Sequence, residues 1–325
     1  MRALITTVPF GAEDHRPIDL LKNAGIEYEV NPLGRKLKDG ELAEMIPGFD
    51  LLIAGTERID SEVLLCAERL KLISRVGIGL DSIDLIEARR LGIEVSYTPD
   101  GPSPAVAELT IGLMLSLLRS IHISNVSMHD GEWHRFFGRR ISEIVIGIVG
   151  FGRIGKRVLN HLTGFGCKQI LVNDIDTTKF HGIALGANVE QVEKGQLFRA
   201  ADLISLHVPL TKTTRNMITW RELSQMQPGS MIVNTSRGGI VNETDLYTAL
   251  VSDQLSGAAV DVFEEEPYQG PLASLQRCLL TAHMGSMSGD CRARMEYEAT
   301  EEVVRFATGQ MLKNRVPEEE YENQQ

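Results

Sequence analysis

The sequence predicts an α/β protein built from two domains, each with a doubly wound parallel sheet. Three observations support this: apolar runs alternate with amphipathic segments over the first hundred residues, a glycine-rich turn follows an apolar run near residue 150, and apolar runs ending in polar residues recur between 203 and 281. Such alternation is typical of parallel sheets covered by helices. At 325 residues the chain exceeds the usual size of a single core, so two domains are expected.

The first region is predicted to be a βα repeat. Gly25, Gly48 and Gly92 each follow a helical pattern and precede a strand, where a left-handed cap lets the chain reverse. The proline cluster 98–104 predicts a linker. The predicted strands are 4–5, 28–30, 51–54 and 72–76, and the helical patterns that follow them are 18–21, 42–46, 63–67 and 83–91.

Two segments separate this linker from the glycine turn. Residues 106–118 are apolar on nearly all faces, which predicts a buried helix too short to span a bilayer. Residues 120–142 carry Trp133, Phe136 and Phe137 among several bases, and they form either plain surface structure or a subunit contact. Clustered aromatic residues with arginines favour the contact, and hence a homodimer.

The segment 150–155, GFGRIG, predicts a dinucleotide-binding turn. Gly150 permits a tight turn, Gly152 lets the backbone approach a pyrophosphate, and Gly155 lets the helix pack closely on the strand. The next apolar strand ends at Asp174, whose carboxylate can accept both ribose hydroxyls and would repel a 2′-phosphate. The predicted coenzyme is therefore NAD rather than NADP. The alternative is an ordinary glycine turn, with Asp174 only capping the next helix.

The later strands continue this fold and end in polar residues. Predicted helix 246–250 begins at an Asn242 cap and is closed by Gly257, and the last predicted helix spans 293–306. Ligands bind beyond the carboxyl ends of strands in doubly wound sheets, so these ends are where chemistry is expected. The strands lie at 203–207, 231–235, 258–263 and 279–281.

Three of these strand ends supply complementary side chains: Arg237, Glu266 and His283. Oxidation of a 2-hydroxy acid needs a base for the hydroxyl proton, an acid that orients the base, and a cation for the carboxylate. An imidazole, a carboxylate and a guanidinium meet these needs. Taken singly, Arg237 could belong to a simple glycine turn, Glu266 to a solvated acidic run, and His283 to the structural histidines. Their convergence on adjacent strand ends favours catalysis.

Composition narrows the partners. The formal charge of −11 disfavours nucleic acid and anionic membranes, and no run of apolar residues is long enough for a membrane span. Residues 1–10 read as a strand rather than a signal peptide, so a cytoplasmic location is expected.

The acidic tail 318–325 is expected to fray. Without paired spacing the four cysteines predict small core residues and no metal site: Cys66, Cys167, Cys278 and Cys291.

Several sequence blocks, in this order, resemble the D-isomer-specific 2-hydroxyacid dehydrogenase family, and within it most of all the D-3-phosphoglycerate dehydrogenases. The resemblance implies a Rossmann NAD domain at 100–285 inserted into a flavodoxin-like substrate domain formed by 1–99 and 286–325. The blocks are SRVGIGLDSID (74–84), AVAELTIGLML (105–115), SMHDGEW (127–133), GFGRIG (150–155), HVPLTKTT (207–214), NTSRGGIVNE (234–243), VDVFEEEP (260–267) and TAHMG (281–285).

The resemblance also implies residue roles. His283 matches the acid/base, Glu266 its partner carboxylate and Arg237 the substrate-binding arginine. Asp261 matches the acid that holds the nicotinamide carboxamide, and Arg75 falls where phosphoglycerate dehydrogenases bind the substrate phosphate. The loop whose N–H groups bind the substrate carboxylate is matched by Val76, Gly77, Ile78 and Gly79. Coenzyme contacts are implied at Gly150, Gly152, Arg153, Ile154, Gly155, Asp174, Val208, Thr235 and Asp261.

The implied activity is hydride transfer between NAD(H) and a small anionic substrate, a D-2-hydroxy acid or its 2-oxo acid. Candidate substrates are 3-phosphoglycerate, hydroxypyruvate and glyoxylate. Pro102 stands where phosphoglycerate dehydrogenases carry an asparagine, and Ala282 replaces the proline before the histidine, so the substrate is left open. Oxidation of formate or phosphite, and an NADH-responsive binding role like that of related corepressors, are the alternatives.

Overall fold

The computed structural model describes residues 1–181 and 186–324. The chain divides into two compact units, one formed by Met1–Pro102 with Met287–Gln325 and the other by Ser103–Ser286. The sequence places the two crossings at 99/100 and 285/286. Each unit contains its own parallel sheet.

The first unit is built on a five-stranded sheet with the order β2-β1-β3-β4-β5, in which every pairing is parallel. This is the flavodoxin-like strand order. The strands are β1 (Arg2–Ile5), β2 (Glu27–Val30), β3 (Leu51–Ala54), β4 (Leu72–Arg75) and β5 (Glu94–Tyr97).

Side-chain caps and glycines mark the ends of several helices in this unit. The side chains of Asp60 and Asp84 accept N–H bonds at the starts of α3 and α4, and Gly25, Gly48 and Gly92 have positive φ angles at the predicted reversals. The helices are α1 (Arg16–Asn23), α2 (Glu41–Met45), α3 (Ser61–Cys66), α4 (Leu85–Arg90), α11 (Gly289–Ala307) and α12 (Glu318–Glu322).

The second unit is built on a seven-stranded parallel sheet with the order β12-β11-β10-β9-β6-β7-β8. Six of these strands reproduce the Rossmann order, with β12 added beyond it, so the predicted fold class is confirmed. The strands are β6 (Val145–Val149), β7 (Gln169–Asn173), β8 (Val189–Gln191), β9 (Leu203–Leu206), β10 (Ser230–Asn234), β11 (Leu255–Val260) and β12 (Cys278–Leu280).

Two apolar clusters cover the faces of this sheet. One includes the helix predicted to be buried, α5, together with the inner face of the helix that follows the glycine turn, α7. The Asn242 side chain accepts the Asp245 N–H at the start of α10, as predicted. The helices are α5 (Ser103–Leu118), α6 (Ile121–His129), α7 (Arg153–Thr163), α8 (Lys194–Ala200), α9 (Trp220–Leu223) and α10 (Glu243–Val251).

Several local predictions are wrong. The acidic tail is not frayed over 318–322, because it forms α12, where Tyr321 is buried and the Arg89 guanidinium carbon lies 3.5 Å from its ring centroid. Residue 325 lies outside the described residues. Gly257 does not close α10, which ends at Val251, but lies inside β11. Cys66 is exposed, unlike the other three cysteines.

Within the described ranges 1–181 and 186–324, no single helix is long and apolar enough to cross a membrane. Helices α5 and α6, which are bent by 67° relative to each other, are long and apolar enough for a span only when their residues are taken together.

Candidate active site

The glycine turn after β6 has the steric requirements expected of it. Gly150 has φ +97°, and a Cβ there would lie 2.4 Å from the His207 carbonyl oxygen. A Cβ on Gly155 would lie 2.0 Å from the Gly150 carbonyl oxygen. Among the described atoms, none lies within 4 Å of the position a Cβ would take on Gly152. Gly150 and Gly155 are therefore required by close packing, and Gly152 is flanked by open space.

That open space adjoins the start of a helix. Gly152 is the N-cap of α7 and supplies no side-chain cap, so the helix begins with main-chain N–H groups and a positive dipole end. Arg153 is the first residue of α7, and Ile154 packs beside the apolar cluster under the helix. A pyrophosphate fits this combination of a bare glycine and a helix N-terminus. The residues present therefore suit a dinucleotide.

Asp174 is tied to the glycine turn. Its Oδ2 accepts the Phe151 N–H at 2.6 Å, and its two carboxylate oxygens lie 3.0 and 3.1 Å from Lys179 Nζ. The cap of the following turn, Thr177–Phe180, is Asp176 rather than Asp174. The carboxylate that we expect to bind the ribose thus already carries a lysine partner, which sequence reasoning missed because an isolated lysine has no pattern of its own.

Two further predicted coenzyme residues follow β9 and β10, the next two strands beyond β6 in the sheet. Val208 borders Gly150, whose Cβ would lie 3.0 Å from Val208 Cγ1. Thr235 follows β10 and its hydroxyl lies 2.8 Å from that of Thr110 in α5. Beside Val208, His207 Nε2 lies 2.8 Å from Ser205 Oγ. Burial lowers the pKa of His207 to about 3, so this imidazole is neutral at physiological pH.

The structure pairs Glu266 with His283. His283 Nδ1 lies 2.9 Å from both carboxylate oxygens of Glu266, and their side chains are 34% and 23% exposed for His283 and Glu266 respectively. Glu266 Oε1 also accepts the Phe263 N–H at 3.2 Å. A carboxylate bound to Nδ1 places the proton there and leaves Nε2 as the nitrogen for proton exchange.

Asp261 holds the turn that carries this histidine. Its buried carboxylate accepts the Thr281 hydroxyl at 2.6 Å, the Met284 N–H at 2.9 Å and the Gly285 N–H at 3.0 Å. His283 itself has φ +49°, a backbone conformation that a non-glycine residue adopts rarely. A contact from Asp261 to a nicotinamide carboxamide stays a prediction, since the contacts observed are all to this turn.

Arg237 lies on the turn after β10, beside the loop that carries Glu266. Its Nη1 donates to the Ser236 carbonyl oxygen at 2.6 Å, and its own carbonyl oxygen accepts from Asn234 Nδ2 at 2.9 Å. A Cβ on the next residue, Gly238, would lie 2.0 Å from the Phe263 carbonyl carbon. The strand order therefore brings the Arg237, Glu266 and His283 loops to adjacent strand ends, and the first two loops are in direct backbone contact.

The predicted carboxylate loop of the first unit is held by its own neighbours. The Gly77 N–H donates to Thr98 Oγ1 at 2.7 Å, and the Val76 N–H donates to the Ala54 carbonyl oxygen at 2.9 Å. Among the described residues, none accepts a hydrogen bond from the N–H of Ile78 or Gly79. Two of the four amides predicted to bind the substrate are therefore engaged within the fold.

Arg75 is also engaged. It is 6% exposed, its Nη1 donates to the Val76 carbonyl oxygen, and its guanidinium lies over Gly77, where a Cβ would come within 2.9 Å of Nη1. The positive φ of +147° at Gly77 and this close approach explain the glycine. The arginine holds the loop rather than pointing into open space.

A family model described as "D-isomer specific 2-hydroxyacid dehydrogenase, NAD binding domain" matches residues 111–285. The chain belongs to the D-isomer-specific 2-hydroxyacid dehydrogenase family. The predicted NAD coenzyme and the predicted NAD-dependent dehydrogenase class are thereby confirmed. The chain is also 35% identical to a hydroxypyruvate reductase of Thermotoga maritima, over 89% of this chain and 94% of the relative.

Two other family proteins show how varied the named substrates are. A D-3-phosphoglycerate dehydrogenase of Methanocaldococcus jannaschii is 36% identical over 92% of this chain and 57% of the relative. The structure of an NAD-dependent formate dehydrogenase from Staphylococcus aureus in complex with NAD matches with a TM-score of 0.85 and 26% identity, covering 98% of this chain and 99% of that one. Membership of the family therefore establishes the class of reaction, whereas the substrate differs from one member to another.

Proposed function

We propose that this enzyme reduces a small, unphosphorylated 2-oxo acid such as hydroxypyruvate to the D-2-hydroxy acid, with Arg237, Glu266 and His283 as its catalytic residues. The bond from His283 Nδ1 to Glu266 carries this proposal. It fixes one tautomer of the imidazole and leaves Nε2 to exchange a proton with the substrate oxygen.

In the oxidative direction, Nε2 of His283 accepts the hydroxyl proton as the C2 hydride leaves. In the reductive direction, the same atom returns the proton to the carbonyl oxygen. A dinucleotide held at the 150–155 turn would supply the hydride acceptor as NAD and the hydride donor as NADH. Arg237 offers a bidentate cation to the substrate carboxylate and polarises the neighbouring carbonyl. In the loop of the first unit, the N–H groups of Ile78 and Gly79 stay the predicted donors to a substrate carboxylate, since those of Val76 and Gly77 have partners.

The engagement of Arg75 supports an unphosphorylated substrate. A phosphate contact would require this buried guanidinium to leave the Val76 carbonyl and its place over Gly77. Pro102, in place of an asparagine, offers no side-chain hydrogen bond. A relative that is matched over 94% of its own length is named a hydroxypyruvate reductase.

A substrate panel tests this proposal. NADH consumption is measured with hydroxypyruvate, glyoxylate, pyruvate and phosphohydroxypyruvate, and NAD reduction with 3-phosphoglycerate, formate and phosphite. We expect the highest kcat/KM with an unphosphorylated 2-oxo acid, and we expect Arg75→Met not to change the preference between hydroxypyruvate and its phosphate. A phosphorylated preference that Arg75→Met abolishes would instead assign Arg75 to the substrate, and turnover of formate or phosphite alone would overturn the 2-oxo acid.

A homodimer belongs to the same proposal. Helix α6 has no buried residue, and Ile121, Val126 and Met128 on it are about half exposed. Beyond it, Trp133 is 83% exposed and Phe137 fully exposed. Apolar and aromatic side chains interspersed with arginines suit a second copy of the chain. Light scattering of the double variant Trp133→Ser/Phe137→Ser should give a monomer mass where the parent gives a dimer; an unchanged mass would exclude this surface. A cytoplasmic location stays a prediction from the sequence.

A further inference from the structure

Glu243 links the helix after the Arg237 turn to the loop that carries Glu266. It is the first residue of α10, directly after the Asn242 cap. Its Oε1 accepts the Glu264 N–H at 2.8 Å across a separation of 21 residues. Glu264 lies two positions before Glu266, so this bond fixes the backbone next to the proposed partner of His283.

The same stretch of backbone also lies against a glycine of the Arg237 turn. The Phe263 and Glu264 backbone lies so close to Gly238 that a Cβ on this glycine would come within 2.5 Å of the Glu264 nitrogen. From within the loop, Phe263 donates its N–H to Glu266 Oε1. The backbone at 263–264 thus contacts both the Arg237 turn and the Glu243 carboxylate.

The surroundings of Glu243 make this placement costly. Burial, together with the charges of Glu264 and Glu265, raises the pKa of the Glu243 carboxyl above its ordinary value. Burial raises the pKa of the Tyr268 hydroxyl, the Glu243 charge lies close enough to raise it further, and the Arg215 guanidinium approaches the adjoining Gly239. A partly desolvated carboxylate beside two other acids is destabilised by its surroundings. The hydrogen bond from the Glu264 N–H therefore contributes strongly to keeping Glu243 in this position.

The Glu243 bond is the loop contact whose loss we expect to disturb Glu266. Glu243 borders a small cavity that Gly238, Gly239 and Val262 also line. Without the Glu243 bond, the Glu264 N–H loses its acceptor, and the backbone that leads to Glu266 is no longer anchored at this point. Because the pair is held at 2.9 Å, a shift of a few tenths of an ångström is enough to weaken it.

We propose that Glu243 is a positioning residue, which holds the Glu264 backbone against the Arg237 turn and thereby sets the distance between Glu266 and His283. It touches neither substrate nor coenzyme in this scheme. The proposal rests on the assignment of Glu266 and His283 under the proposed function, and it adds the residue that keeps their geometry.

Three variants of this position separate geometry from charge. Glu243→Gln keeps an acceptor oxygen at the same reach without the charge. Glu243→Asp keeps the charge but withdraws it by one methylene, and Glu243→Ala removes both. The matched control is Asp245→Ala, because Asp245 is also an acid of the first turn of α10, of similar burial, and accepts a distant backbone N–H, that of Trp220 at 2.8 Å.

Activity gives the first readout. We expect Glu243→Gln to retain kcat within about twofold, and Glu243→Asp and Glu243→Ala to lose about tenfold in kcat with little change in KM for NADH, a loss equal to about 1.4 kcal/mol in the barrier. The pH at half-maximal kcat/KM should move only in the latter two. If Asp245→Ala lowers kcat as much as Glu243→Ala does, the role is one of general stability and the proposal is wrong.

A second readout does not depend on turnover or on Glu243→Ala folding. Two-dimensional ¹H–¹⁵N spectra of the histidine side chains report which ring nitrogen carries the proton, and a His283→Gln sample assigns the His283 signals. We expect parent and Glu243→Gln to keep the proton on Nδ1, and Glu243→Asp to lose that preference. Unchanged His283 signals in Glu243→Asp would overturn the proposal, whereas a parent enzyme inactive on 2-oxo acids would overturn only the proposed function.

Discussion

The two sheets end their strands in different ways. At the carboxyl edge of the seven-stranded sheet, the proposed catalytic histidine and glutamate keep about a third and a quarter of their side chains exposed, at 34% and 23%. At the same edge of the five-stranded sheet, four polar residues are at most 6% exposed, and they bond to each other or to the backbone: Thr6, Glu57, Arg75 and Thr98.

This difference shows that one topology serves two purposes. Parallel strands collect polar residues at one edge whether or not those residues react. Where the side chains stay partly exposed, as with His283, they can exchange protons with a substrate. Where they are buried and mutually bonded, as with Glu57, they hold a loop backbone in shape. Substitutions at the two edges should therefore fail in different ways.

The largest effect is expected from His283. The variant His283→Gln should lower kcat for 2-oxo acid reduction by about 10²- to 10⁴-fold, because no group remains to exchange the substrate proton. Its melting temperature and its affinity for NADH, followed by fluorescence, should match those of the parent. The exposed His161→Gln is the control. If His283→Gln keeps its turnover, the exposed edge is not the catalytic one.

Substitutions of two glycines in the 150–155 turn should have separate effects, one on stability and the other on NADH binding. A Cβ on Gly155 meets the Gly150 carbonyl oxygen at 2.0 Å, so Gly155→Ala should destabilise the protein by about 3 kcal/mol. Gly152→Ala has open space and should unfold like the parent in urea, yet bind NADH weakly, because its methyl group occupies the pyrophosphate position. Equal NADH affinity in Gly152→Ala and the parent would place the pyrophosphate elsewhere.

A substitution at the buried edge of the five-stranded sheet should destabilise the protein without lowering kcat. Glu57 accepts bonds from the Thr6 hydroxyl and from the Gly55 N–H at 2.9 Å. Glu57→Ala leaves both donors without this acceptor and should cost about 2 kcal/mol in the free energy of unfolding, while Glu57→Gln, which keeps an acceptor, should cost less. Urea titration measures both. A fall in kcat without a loss of stability would give this edge a chemical role and break the comparison.

The smallest effect concerns His207, a half-buried imidazole that follows β9. Because its pKa is about 3 when folded and near 6.5 when unfolded, lowering the pH protonates the unfolded chain first. Stability is thus fully present above pH 6.5 and falls as the pH drops, by about 1 kcal/mol between pH 7 and pH 5.5. Urea titrations at both pH values should show a smaller fall in His207→Asn. Equal falls in the two proteins would mean that His207 is solvated in the native state.

Features that depend on neighbouring residues could be predicted from the sequence. The strand, turn and helix around residue 150 were predictable because glycine spacing and apolar runs act within a few residues. The cap at Asn242 and the reversals at Gly25 and Gly92 are equally local. The positions of Arg237, Glu266 and His283 at strand ends followed from the same patterns. The short strand β8 and the docked helix α12 were missed, since they have little apolar pattern of their own.

By itself, the sequence determined two parallel α/β sheets, a dinucleotide turn and the residue types available at the strand ends, because periodicity and turn chemistry are properties of short segments. Only the tertiary structure decided which polar groups bind each other. Lys179 binds the Asp174 carboxylate, the Thr98 hydroxyl accepts the Gly77 N–H, and the Glu243 carboxylate accepts the Glu264 N–H. These partners act through hydrogen bonds and charge over distances of a few ångströms. Which polar groups come that close depends on how the elements pack, and a linear pattern does not contain that distance.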